Sequence, residues 1–379
     1  MGLDTSITEH FTHQAGMFQS SVLIRVLGMN LLIWLCFGVW FYWRKKVGKP
    51  PKYWWLHLIA WTALLLSVAS VVLLYQFRGN FFVLIAMLYW NVLWILPIQG
   101  MLGILLSKNR KDWLAWSLVS SLWMVGVYSL LLEPQQLHLI KRTVHIPKLP
   151  KRYQGLRIMH ITDVQTDGIA YREKKVIRLL KQTKPHLILL TGDYLNLISP
   201  AKLKEMQRWF AKMKAPLGVI GVNGDHNLDI HHKEMWRGTS IKNISGTSYF
   251  LNKNGYRIFF AGVDRLAPYR KRKVPPPPNS HPKADLNIML AHSPDSWKTA
   301  RRKGYDLLLS GHTHGGQIVL PLLGPLVTLT HLGPKYARGL FYKQPTWLHV
   351  SSGMGYEGNK TPRIRFLCPP EIVLLTLSK

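Results

Sequence analysis

The sequence predicts an all-α, four-helix transmembrane domain followed by an α/β domain. Three observations carry that expectation. Four long apolar runs crowd the first 135 of the 379 residues. From Leu156 onward, short apolar runs alternate with amphipathic stretches, the pattern of a layered α/β domain. A set of Asp, Gln and His residues stands directly after the predicted strands.

The apolar runs lie at 26–43, 57–77, 81–106 and 113–132, and none contains Asp, Glu, Lys or Arg. About 20 apolar residues suffice for a helix to cross the hydrocarbon core. Trp54, Trp55, Trp113 and Trp116 stand near run ends, where an interfacial aromatic belt is expected. A signal peptide would be one short run near residue 1, and four runs do not fit it. With no Asp, Glu, Lys or Arg inside the runs and His57 only at the edge of the second, they read as an anchor and not as a transport path.

Loop charge sets orientation. The first loop carries Arg44, Lys45, Lys46, Lys49 and Lys52, and the third Lys108, Arg110 and Lys111. The second loop has only Arg78. Loops one and three therefore read as cytoplasmic, and four spans put both termini outside. Lys141, Arg142 and Lys148 after the fourth run oppose that reading.

The chain has 49 Lys and Arg against 18 Asp and Glu, a net charge of +31. Residues 136–379 hold 39 of the basic and 14 of the acidic side chains. Such a surface attracts polyanions. Anionic lipid is favoured over nucleic acid, because an anchor already holds the domain near headgroups. Cys36 and Cys368 lack CxxC spacing, so neither a disulfide framework nor a thiolate zinc site is expected.

Three regions result: a transmembrane domain at 1–135, a basic, proline-bearing linker at 136–155, and an α/β domain at 156–379. A strand is expected to begin near Thr143–Ile146. Further strands are predicted at 156–162, 186–191, 217–222, 257–263, 286–291, 306–310, 347–351 and 371–377. Helices are predicted at 171–183, 200–214 and 295–303. Arg270–Lys273 followed by Pro275–Pro278 reads as an exposed loop.

The polar residues after strands are Asp163 and Gln165 in HITDVQ, Asp193 in LLTGDYLN, and Asp225 and His226 in VNGDHN. His292 in MLAHSPD and His312 and His314 in LLLSGHTHGG complete the set. Ligands of open α/β sheets gather at the carboxyl ends of strands. One such residue is ordinarily a turn or cap residue; five strand ends in order point to one site.

The order D-x-[H/Q], G-D, G-[N/D]-H-[D/N], H and G-H-x-H resembles the calcineurin-like metallophosphoesterase family, with GHTHGGQ the most specific piece. The tail PRIRFLCPPEIVLLTL resembles that family's membrane-bound or exported bacterial branch. The resemblance covers roughly 155–379. It implies a four-layer α/β/β/α sandwich and a centre of two divalent metal ions that hydrolyses phosphoesters. Asp163, Gln165 and His314 would bind one metal, and Asp225, His292 and His312 the second. Asp193 would bridge both and hold the attacking water, and His226 would face the substrate phosphate as the second catalytic residue.

Three positions depart from the family's pattern. Gln165 stands where His is usual, Asp225 where Asn is usual, and Asn227 where Asp is usual. These exchanges make the site richer in oxygen, which among Mn, Mg, Fe and Zn favours Mn or Mg. Fold alone selects no substrate. The anchor and the charge favour a lipid-linked phosphate, phosphodiester or pyrophosphate. A phosphate-binding membrane protein with weakened catalysis and a nucleic-acid phosphodiesterase are the alternatives.

Overall fold

A computed structural model of the chain describes residues 89, 91–95, 97–98, 101, 113–196, 199–224, 233–263, 284–356 and 363–379. The expected spans 26–43 and 57–77, most of 81–106, and the Arg270–Pro278 run lie outside those residues, as do Cys36, Asp225 and His226. The chain divides into two compact units. One is Met1–Leu132 with Gly358–Arg363, the other Glu133–Glu357 with Ile364–Lys379.

In the first unit, α1 (Trp113–Val127) is built of apolar and small residues. Tyr89 donates its hydroxyl to the Gly126 carbonyl at 3.2 Å. Among the described residues one helix, Trp116–Gln135, is long and apolar enough to cross a membrane.

The second unit holds two six-stranded sheets. The first has the order β1 (His138–His145), β14 (Glu371–Ser378), β2 (Arg157–Ile161), β3 (Leu187–Leu190), β4 (Val219–Gly221) and β5 (Ile241–Asn243). The second runs β12 (Gly339–Lys343), β13 (Thr346–Val350), β9 (Leu307–Ser310), β8 (Leu286–Leu290), β7 (Tyr256–Gly262) and β6 (Ser248–Lys253). β2, β3, β4 and β5 are parallel, as are β7, β8, β9 and β13. A short hairpin, β10 (Val319–Leu320) and β11 (Gly324–Pro325), stands apart from both sheets.

Strand alternation assigns each side chain its layer. Ile158, Leu187, Leu189 and Val373 of the first sheet meet Ile258, Phe260, Ile288 and Leu307 of the second in one buried cluster. Met159, Ile161, Ile188 and Leu190 point the other way, beneath α2 (Tyr171–Thr183) and α3 (Pro200–Phe210). On the far face of the second sheet, Phe259, Met289 and Leu308 pack with Trp297 and Ala300 of α4 (Trp297–Lys303). The central strands are apolar on both faces because both faces are covered.

The helices begin and end where local chemistry dictates. Ser199 caps α3 by accepting the Lys202 N–H at 3.3 Å, with Pro200 in the first turn, where its missing N–H costs nothing. Glu173 reaches back to the Ala170 N–H at 3.0 Å to start α2. Leu203, Met206 and Phe210 recur at helical spacing on the buried face of α3.

The stretch read as a linker contains β1, which starts five residues before the expected Thr143. It is an edge strand paired only with β14, and Val144 is its one buried residue. Its Lys141 and Arg142 are therefore tolerated, as charged side chains are on sheet edges.

Candidate metal centre

The carboxyl ends of the two sheets meet, and the loops leaving them carry the centre. Asp163 follows β2, Asp193 follows β3, His292 follows β8, and His312 and His314 follow β9. The loops are tied to one another by their backbones. Asp163 N–H donates to Gly192 O at 3.0 Å, Gln165 N–H to Asp193 O at 2.9 Å, and Gly311 N–H to His292 O at 2.9 Å.

Asp163, Gln165, Asp193, His292 and His314 are buried together. Ligand-competent atoms of Asp163, Asp193 and His292 all lie within 4.8 Å of one another. His292 Nε2 stands 3.3 Å from Asp193 Oδ2 and 3.8 Å from Asp163 Oδ1. His314 Nε2 is 3.7 Å from Asp163 Oδ1. Gln165 Nε2 donates to Asp193 Oδ2 at 3.3 Å. His312 contributes its backbone N–H, 3.0 Å from both Asp163 oxygens, and its ring packs edge-on against His292 at 5.0 Å. Asp225 and His226, expected after β4, fall outside the described residues; Gly224 just before them packs against Asp193.

The backbone supports this packing at a steric cost. Asp163, Gln165, Asp193, His312 and His314 all have φ between 35° and 71°. Non-glycine residues rarely occupy that left-handed region, and such strain collects at functional sites. Gly311 makes room in a different way. A Cβ there would lie 2.0 Å from Asp163 Oδ2 and 2.1 Å from Thr162 Oγ1.

The donor set fits divalent cations. His292 Nδ1 lies 2.7 Å from the Thr191 carbonyl. A carbonyl only accepts, so the proton sits on Nδ1 and the Nε2 lone pair faces the carboxylates. This is the arrangement in which a metal-ligating imidazole is held by an outer partner. Burial, reinforced by the Arg365 guanidinium, lowers His314 to about 3, which keeps the ring neutral. Burial pushes Asp163 up to about 6, and the negative charge of Asp193 adds to that rise while His292 opposes it. Two carboxylates buried side by side call for compensating positive charge.

Beside the centre sits a pair that the strand-end pattern of the sequence does not announce. His160 of β2 and His349 of β13 face each other across the two sheets with Nδ1 atoms 2.9 Å apart. His160 Nε2 reaches Thr191 Oγ1 at 2.8 Å. Thr191 thus connects the imidazole pair to His292. Burial holds His349 down to about 3 and His160 well below its ordinary value. The faint signal for the pair is a His inside each of two apolar strands.

A family model described as calcineurin-like phosphoesterase matches residues 156–316. The chain is 30% identical over 275 residues to an uncharacterised metallophosphoesterase of Aquifex aeolicus, covering 67% of this chain and 96% of that one. It is 26% identical over 310 residues to the UDP-2,3-diacylglucosamine pyrophosphatase LpxG of Chlamydia muridarum, covering 64% and 90%. A Danio rerio relative named transmembrane protein with metallophosphoesterase domain is 26% identical over 252 residues, covering 62% of this chain and 56% of that longer one.

Proposed function

The chain belongs to the calcineurin-like metallophosphoesterases, hydrolases of phosphoesters, and from that premise we propose that it cleaves a lipid-linked phosphodiester or pyrophosphate at a membrane. The observation that carries the reading is the buried convergence of Asp163, Asp193, His292 and His314 where two sheets meet. Similarity to a pyrophosphatase named for a diacylated sugar nucleotide supports the lipid substrate. So does the excess of basic side chains in residues 136–379.

Asp163, Gln165 and His314 would hold one cation, and Asp225, His292 and His312 the other, with Asp193 between them. Two oxygen donors, Gln165 and Asp225, favour Mn²⁺ or Mg²⁺. Divalent cations in such a centre supply charge for phosphate oxygens and make water acidic enough to attack near neutral pH. The chain's own groups do the rest. Asp193 accepts a hydrogen bond from the attacking water and aims it at phosphorus. Thr191 fixes the His292 tautomer through the 2.7 Å contact to Nδ1. His226, adjacent to Asp225, donates to a phosphoryl oxygen or to the departing oxygen.

The N-terminal apolar runs would form a four-helix anchor with the catalytic domain outside the cytoplasm. The apolar helix Trp116–Gln135 and the loop charges support this reading.

The full chain in detergent, supplied with Mn²⁺, tests the function. Expected is hydrolysis of bis-p-nitrophenyl phosphate that EDTA abolishes, and faster cleavage of a diacylated sugar-nucleotide pyrophosphate than of DNA. Metal-dependent cleavage of DNA with none of the lipid-linked substrate would overturn the substrate reading.

A further inference from the structure

The hairpin β10–β11 leaves the metal loop with two leucines at its tip that serve neither core nor turn. Leu322 is fully exposed, Leu323 is 77% exposed and Leu326 49%. Leu322 also has φ +67°, a conformation for which turn chemistry selects Gly or Asn and against which a leucine side chain is strained. Scattered exposed leucines are ordinary. Three within five residues, one of them in a backbone conformation it disfavours, are a concentrated apolar projection.

The projection is fixed to the centre. Its base starts at Gln317, the residue after the His314–Gly316 turn. A Cβ on Gly316 would lie 2.4 Å from Pro325 Cβ, so hairpin and metal loop are in close contact. Val319 N–H donates to Phe366 O at 2.9 Å, and Phe366 N–H to Gln317 O at 2.9 Å. The next residues, Leu367 and Cys368, both give their N–H groups to the Glu133 carboxylate, the first at 2.8 Å. Glu133 lies at the end of the apolar helix Trp116–Gln135. The hairpin base is thus hydrogen-bonded, through three consecutive residues, to Glu133, the first residue of the second unit.

Charge around the hairpin suits one kind of surface. Residues Gln317–Lys343 contain Lys335, Arg338 and Lys343 and no Asp or Glu. Lys335 and Arg338 are exposed. Asp295 meets this stretch from outside, accepting from Thr330 Oγ1 at 2.6 Å and from the His331 N–H at 3.0 Å, but an apolar tip on a segment whose own charges are all cationic is the composition that settles into the interface of a bilayer bearing anionic headgroups.

We propose that the Pro321–Leu323 tip inserts into the membrane interface and holds the metal loop against the lipid surface, a second membrane contact distinct from the anchor. The consequence for catalysis, preferential access to phosphates at the headgroup level, rests on the lipid-substrate reading above; the insertion itself does not.

The test uses the full chain in vesicles of phosphatidylethanolamine and phosphatidylglycerol. Cys36→Ser removes a native thiol, and Cys368 is buried. An environment-sensitive fluorophore is placed at Leu322→Cys, or at Lys253→Cys at the end of β6, an edge strand of the second sheet. Expected at 322 are blue-shifted emission, quenching by doxyl-labelled lipid and shielding from iodide; the label at 253 should show the reverse. A label at 322 quenched by iodide and unaffected by doxyl lipid would overturn the proposal. So would shielding from both quenchers, which would place a protein partner on the tip. In a second arm, Leu322→Asp with Leu323→Asp should raise KM for a vesicle-borne lipid phosphate by about 10-fold or more. Turnover of bis-p-nitrophenyl phosphate should be unchanged; an equal loss on both substrates would make the hairpin part of the active site and overturn insertion. If the unsubstituted protein cleaved no lipid phosphate, the substrate reading alone would fall, and lipid quenching at 322 would still decide the hairpin.

Discussion

Asp193 Oδ2 lies 3.3 Å from both Gln165 Nε2 and His292 Nε2. An amide in its place keeps the shape and removes the charge shared by the two proposed cations. Losing an outer partner of a metal ligand costs roughly 10–100-fold in affinity or activity. Asp193→Asn should cost more than that, read as kcat/KM on a chromogenic diester together with metal content. Normal metal content and activity would remove Asp193 from the centre. Gly311→Ala is a different probe, because it adds one methyl and takes away no donor. With only 2.0 Å to Asp163 Oδ2, the carboxylate has to move. Overpacking of this kind costs about 1–3 kcal/mol. We expect a folded protein by circular dichroism with clearly reduced metal content. The ligand candidates were legible in the sequence because each follows an apolar run. The atoms that position them were not: the Thr191 carbonyl, the space at Gly311 and the His312 N–H are backbone features that no residue type announces.

Among the elements, β2 and β13 are joined by the buried His160–His349 pair, whose rings meet edge-on at 5.0 Å. Burial disfavours the imidazolium form and lowers His349 from its ordinary 6.5 to about 3. The unfolded chain then binds protons more readily than the folded one below pH 6.5. Stability from this group is complete above that pH and is lost progressively towards about pH 3. At pH 5 the loss from His349 alone is roughly 2 kcal/mol. Calorimetric unfolding between pH 7.5 and 4.5 should show a falling Tm, and His349→Asn should flatten that fall; identical slopes would dismiss the pair as its cause. The main strands and helices were legible from period and length. β5, three residues long, carried too little pattern to read. The β6–β7 hairpin carries a sequence signal in the Asn254–Gly255 pair, and both residues take positive φ at its turn, 52° and 79°. β1 begins five residues ahead of the strand start expected near Thr143–Ile146, because an edge strand needs few apolar residues to announce it.

At the scale of the whole molecule, the proposed extracytoplasmic position of the catalytic unit rests on the charge of short loops. Loops one and three hold eight Lys and Arg and loop two holds one. Large domains translocate largely without regard to their own charge, so the basic catalytic unit weighs little. Alkaline phosphatase fused after Lys379 should therefore be active, and a fluorescent protein that folds only in the cytoplasm should stay dark there. Bright fluorescence without phosphatase activity would reverse the topology and turn the centre towards cytoplasmic-leaflet substrates.

The placement of β14 has a consequence for how the protein is made. Glu371–Ser378 lies between β1 and β2, parallel to one and antiparallel to the other. The ribosome produces those eight residues some 200 after β2, and until they emerge the first sheet has a gap in its middle. β1 cannot attach, and the Glu133 carboxylate has not met Leu367 and Cys368. Non-local pairing of this kind delays folding. If the catalytic unit is exported as proposed, a chain that stays incomplete so late would still be unfolded enough to be threaded through a translocation pore during synthesis. In the proposed topology the stitch closing the sheet would come after passage, so the same architecture that joins the loops of the candidate centre would also keep them from closing on the wrong side of the membrane.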